Sequence, residues 1–133
     1  MKKDKNLAIL LLRVSIPFTM LVYGINKLIM GVASIEMLLE QYGLPRVFAQ
    51  GVFIGEIVAP LMIMLGFRTR LAGLLFAFNS LVAILLAQTQ NIFRLNDFGG
   101  WSLELLAIYV TSGMVFYYLG AGKYALSNTS SWD

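Results

Sequence analysis

Glu56 and Glu104 stand inside apolar runs, GVFIGEIVAPLMIML and WSLELLAIYVTSGMVFYYL, that otherwise match hydrocarbon. An acid near the centre of a membrane helix costs ~2.5–3.5 kcal/mol on insertion scales, so each needs a partner, a proton or a task. Tyr23, Asn26, Lys27 and Asn79 are further polar groups in comparable runs. These six residues are the candidates for ligand binding or proton handling. No nucleophile–base pair and no self-contained catalytic motif accompanies them, so catalytic residues, and whether the chain is an enzyme at all, stay open.

The chain has no Cys and no His. That removes thiol chemistry, cysteine nucleophiles, iron–sulfur ligation and the usual haem ligands. No metal site is expected, because carboxylates alone make a poor structural zinc site. Any redox chemistry must come from a bound organic cofactor or a partner protein.

The elements that must hold these residues are membrane helices. The 133 residues are 59% hydrophobic and 13% charged, against about 25% charged in soluble domains. Four apolar stretches approach the ~20 residues that cross a bilayer, at 7–30, 47–65, 71–87 and 101–119. The expected fold is an all-α bundle of four transmembrane helices in one integral membrane domain, 1–133. Lys2, Lys3, Lys5, Arg13, Arg68, Arg70 and Lys123 fall on one side of such a bundle, and Lys27, Arg46 and Arg94 on the other. This positive-inside bias puts both termini in the cytoplasm. The charge of +3 sets topology and carries no nucleic-acid signal. The basic, apolar start is read as a retained first helix, since its run exceeds a signal core and Arg13 interrupts it.

Between the first two spans, residues 34–42 predict a short amphipathic helix at the membrane interface, capped by Gly43 and stopped by Pro45. GFRTR forces a tight hairpin between spans two and three. Trp101 is an interface anchor, and SNTSSWD reads as a mobile polar tail. Pro17 and Pro60 each follow a charged residue by four, which frees the backbone carbonyls of Arg13 and Glu56.

At ~1.5 Å per residue, Glu56 lies about 13 Å below the outer end of its span, and Lys27 and Glu104 about 5 Å below theirs. Asn26 and Asn79 share this region, with Gln88 and Gln90 at its rim. Three polar or small stripes suggest inward faces: Arg13, Pro17, Gly24 and Lys27; Ala72, Phe76, Asn79 and Ala83; Glu104, Ala107, Thr111 and Tyr118. Gly51 and Gly55 form a GxxxG. The expected pairings are Lys27 with Glu104, and Glu56 with Asn26, Asn79 or a tyrosine. No acid shares the depth of Arg13, which is expected to snorkel to the inner surface.

LLR at 11–13, YGINKL at 23–28, YGLP at 42–45, GEIVAPLMIMLGFRTRLAGL at 55–74, LELLAIYV at 103–110 and GAGKYAL at 120–126 follow one another in the order of the DoxX family, which the chain resembles. The resemblance implies a four-helix protein of the bacterial inner membrane. Family relatives include the DoxD-type subunit of a thiosulfate:quinone oxidoreductase and members of membrane complexes with soluble redox partners. Tyr23 stands where several relatives carry His. Three readings follow. The first is a membrane subunit of a quinone-linked oxidoreductase, with quinone as the cofactor and a redox protein as partner. The second is a non-catalytic anchor or assembly factor. The third is a small transporter or proton path, which four spans would support only in a homo-oligomer. Membrane lipid is a partner in all three.

Overall fold

The computed structural model describes residues 4–89, 92–127 and 129–133, with backbone alone at 87 and 88. Lys2, Lys3 and Gln90, and the side chain of Gln88, lie outside the described residues. Within them every regular element is a helix, and β pairing is limited to one isolated antiparallel bridge, Leu95 to Trp101.

α1 (Lys5–Met30) begins at Asp4, whose side chain accepts a hydrogen bond from the Leu7 amide at 3.1 Å. This satisfies one of the orphan donors of the first turn. The helix runs unbroken through Pro17. At ~1.5 Å per residue it measures about 39 Å, which exceeds the ~30 Å hydrocarbon core and leaves room for tilt. Its buried residues Arg13, Pro17, Met20 and Gly24 form one narrow stripe, and the flanking leucines, isoleucines and valines are largely exposed, as lipid-facing side chains would be.

α2 (Ala33–Gln41) packs by one face, with Leu39 its buried residue. It folds onto one end of the bundle, where Leu39, Val32 and Ala49 are buried together with Ile35, Val52, Phe53 and Leu86 packed around them. The second span, Arg46–Leu65, mixes three helical forms: a 3₁₀ segment (Arg46–Gly51), a π turn (Ile54–Val58) and α3 (Ala59–Leu65). The π turn closes with the Ala59 amide bonding to the carbonyl of Ile54, immediately before Pro60. Gly66, in the left-handed region (φ 78°), ends α3 and donates to the carbonyls of Met62 and Ile63, a conformation that costs glycine little.

α4 (Thr69–Ala83) continues into a second π turn (Ile84–Gln88). It packs along α5 (Glu104–Leu119). The core joins Met20, Ala59, Ile63, Ala72, Phe76, Tyr109 and Phe116. Three helical segments, Lys5–Met30, Arg46–Leu65 and Thr69–Leu86, are long and apolar enough to cross a membrane, while α5 is apolar but shorter.

One close approach of two helices lies where no GxxxG pointed. A Cβ added at Gly113 would sit 2.5 Å from the carbonyl oxygen of Gly73 and 2.7 Å from Cβ of Ala77. Small residues permit such contact, and dispersion then supplies the association that water would drive elsewhere. Gly55 is likewise tight against Asn79, but Gly51 faces open space, so the expected GxxxG packs at one glycine only. Gly113→Ala should destabilise by about 1–3 kcal/mol, the usual cost of overpacking, whereas Gly51→Ala should change little. Thermal unfolding in detergent by circular dichroism checks both; equal melting temperatures would contradict the packing.

Candidate functional site

Glu56 lies in the π turn of the second span. Its carboxylate receives the Lys27 ammonium at 2.6 and 2.7 Å, one contact to each oxygen. The side chains are 28% and 7% exposed, so the lysine reaches the boundary and the glutamate does not. Gly24, one turn before Lys27, lets α1 lie directly over the Glu56 backbone: an added Cβ would come within 2.5 Å of that carbonyl oxygen. Asn79 of α4 closes the other side by packing on Gly55. About two turns before Lys27 on α1, beyond Gly24, Thr19 and Tyr109 share a hydrogen bond of 2.6 Å, and Tyr109 meets Phe76 edge-on at 5.3 Å.

The expected pairing is thus corrected. Lys27 bonds Glu56, and Glu104 is elsewhere. Glu104 is exposed at the first turn of α5 and accepts from Asn96 at 3.4 Å. Asn26 and Tyr23 are exposed, off the buried stripe of α1. The structure brings together Lys27, Glu56 and Asn79, and separates Glu104, Asn26 and Tyr23 from them. The α5 stripe is reversed as well. Glu104, Thr111 and Tyr118 are exposed, while Tyr109, Ser112, Gly113 and Phe116 are buried. Glu104, Ala107 and Thr111 instead line an open groove of about 340 Å³ with Trp101, Ile108 and Ser112. A smaller hollow of about 100 Å³ shares Thr111 and Ser112 and extends toward Leu12 and Ile16 of α1.

Arg13 overturns the expectation of snorkelling. It is 1% exposed and makes four hydrogen bonds to backbone carbonyls: Ile63 (3.0 Å), Met64 (3.2 Å), Ala121 (3.0 Å) and Tyr124 (2.5 Å). Ile63 and Met64 belong to the last turn of α3, whose carbonyls carry the negative end of the dipole, and the Ile63 carbonyl accepts from Arg13 in addition to the Gly66 amide. A guanidinium fork suits several fixed oxygens. The charge is therefore held by carbonyl dipoles, with no carboxylate needed.

The segment after α5 is held rather than mobile. Leu126 and Ser127 bond through their amides to the carbonyls of Leu65 and Gly66. Asp133 is buried and accepts from the Arg68 amide (3.0 Å) and guanidinium (3.1 Å), the Ser127 hydroxyl (2.6 Å) and the Ser130 amide (2.8 Å). The Ser127 hydroxyl, followed by the Ser130 amide and Arg68, holds this carboxyl well below the usual carboxylate range. Its contribution to stability is complete above the ordinary carboxylate pKa and is lost as pH falls through the lowered one. Arg68, in the left-handed region at φ 48°, supplies no side-chain cap for α4; instead the Trp132 carbonyl accepts from the first-turn amide of Arg70 at 2.9 Å.

The DoxX family model matches residues 8–89. The chain belongs to the DoxX family. It is a multi-pass membrane protein whose apolar helices contact lipid. No curated protein and no solved structure matches it. The DoxX match takes in Arg13, Lys27, Glu56 and Asn79 but not α5 or the carbonyls of Ala121 and Tyr124. In this DoxX protein no three His, Cys, Asp or Glu side chains gather as a metal site among the described residues. The Lys27–Glu56 pair is closed on itself and braces α1 to the second span. The α5 groove is open and mostly apolar in surface, with the Glu104 carboxylate toward one end.

Proposed function

We propose that this DoxX-family protein is a small membrane subunit of a quinone-linked oxidoreductase, with the α5 groove receiving the quinone. The groove carries this reading: its volume falls in the range of small-ligand sites, roughly 300–1,000 Å³, and its lining is apolar apart from Glu104, Thr111 and Ser112. A quinone fits that lining, its isoprenoid tail along Ala107 and Ile108 and its polar head at Glu104. Such a cofactor carries electron pairs between a redox partner and the membrane pool. The chain's own residues orient it: Trp101 flanks the head, and Asn96 holds the Glu104 carboxylate by a hydrogen bond. In this reading a partner protein supplies the redox-active side chains, in keeping with a chain that has no Cys and no His.

In this reading α5 is a fourth span, the chain forms one integral domain, and both termini face the cytoplasm of a bacterium. The anchor or assembly reading draws on a different observation. Ala107 and Thr111 on the open face of α5 are small enough to seat another membrane helix.

Trp101 fluorescence decides between them in vesicles carrying a Trp132→Phe chain. Saturable quenching by a long-chain quinone is expected, and Glu104→Ala should weaken it about tenfold, the size of one hydrogen bond to a charged group. Linear quenching with no saturation, unchanged by Glu104→Ala, would sink the quinone reading and leave the groove to a partner helix.

A further inference from the structure

The link between the α4 π turn and α5 exposes its apolar side chains to an unusual degree. Phe93 is 99% exposed, Phe98 96% and Leu95 71%. Yet this segment is not loosely organised. Leu95 bridges Trp101. The Asn96 side chain accepts from the amides of Phe98 and Gly100, each at 3.0 Å. Its own amide donates to the Gly100 carbonyl at 2.6 Å, and the Ser102 amide to the Arg94 carbonyl at 3.0 Å. The Trp101 indole N–H donates to the Ile92 carbonyl at 2.6 Å. The loop satisfies much of its own backbone and turns phenylalanine and leucine outward.

That combination is costly in water and favourable in lipid. Lipid-exposed irregular backbone stays out of the hydrocarbon itself, so a loop of this kind belongs at the head-group boundary and sends only its side chains inward. α5 supplies the second argument, which rests on the proposed reading of that helix as a span. Its sixteen residues measure about 24 Å at ~1.5 Å per residue, some 6 Å short of a ~30 Å hydrocarbon core. So short a span draws the head-group boundary in toward its ends, and this loop lies at one of them.

We propose that residues 92–102 form a bilayer-inserted hairpin. Phe93, Leu95 and Phe98 enter the boundary between head groups and acyl chains, and Arg94 meets lipid phosphate. The partner is the lipid surface itself. The hairpin anchors one end of the short α5 crossing and pins the mouth of the groove, because Trp101 belongs to both.

The lack of native cysteine makes the test direct. Phe93→Cys and Phe98→Cys, each carrying a nitroxide in lipid vesicles, are compared for collisions with oxygen, which concentrates in lipid, and with a water-soluble nickel chelate. Oxygen should dominate at both positions. In parallel, Asp97→Cys and Lys123→Cys are labelled in sealed vesicles with an impermeant maleimide, and should react from opposite sides. Nickel dominance at 93 and 98 with opposite-side labelling would overturn the insertion while leaving α5 a span. Same-side labelling would remove the crossing of α5 and the proposal with it.

Discussion

Arg13→Ala should be the most damaging single substitution, costing on the order of 3–5 kcal/mol, since each hydrogen bond to a charged group is worth ~1.5–3 kcal/mol and several are lost together. Four backbone carbonyls would lose the guanidinium at once, the Ile63 carbonyl keeping only the Gly66 amide. Two of them end α3, and two belong to the segment after α5, so both elements would loosen together. Arg13→Lys should rescue little. An ammonium is a compact point charge with three donors and cannot spread across four carbonyls as the planar fork does. Chemical denaturation in micelles, followed by circular dichroism, measures the cost. Protease cleavage after Lys123 should rise in parallel, since that segment is held through Ala121 and Tyr124. A lysine variant as stable as the native chain would show that charge alone, rather than the fork, holds this site.

Lys27→Met should cost on the order of 3 kcal/mol, and Glu56→Gln clearly less. The asymmetry follows from reach. With Glu56 neutralised, the long lysine stem can extend to the membrane boundary. With Lys27 removed, the short carboxylate stays in apolar surroundings without a cation. The double variant Lys27→Met with Glu56→Leu should recover most of the loss, because a buried ion pair is often replaced by apolar side chains at no net cost. A double-mutant cycle on unfolding free energy gives the coupling. If the pair is a brace, the double variant also retains saturable quinone quenching. Loss of that quenching in a stable double variant would instead place Lys27 and Glu56 in the ligand site.

The apolar runs located the helices closely: 7–30 became Lys5–Met30, and 101–119 shortened to Glu104–Leu119. The stripes of α1 and α4 were also legible, because their polar and small residues contrast with what surrounds them. α5 is apolar nearly all round, so its faces carried little contrast, and its packing was decided by Gly113 meeting Gly73. Depth alone chose the wrong partner for Lys27. Side chains on a helix lean toward its N-terminus. On antiparallel neighbours, Lys27 of α1 therefore leans toward the middle of the bundle and Glu56 leans out to meet it. Glu104 begins α5 and leans the other way, to Asn96. Arg13 was misread for a different reason. The search was for an acid, and the groups that hold it are main-chain oxygens, which one-letter codes do not display. Its place on the stripe with Pro17, Gly24 and Lys27 was the signal that it faced inward.

The Arg13 contacts also bear on how the protein is made. Ala121 and Tyr124 follow Arg13 by 108 and 111 residues. Synthesis runs from the N-terminus, so α1 leaves the ribosome long before half of the oxygens that hold its guanidinium exist. Until then the helix is an incomplete membrane guest, carrying an arginine that only the finished chain can accommodate. The last contacts formed are thus those that commit the first helix to its place, and a chain truncated after α5 would carry that unfinished charge into cellular quality control.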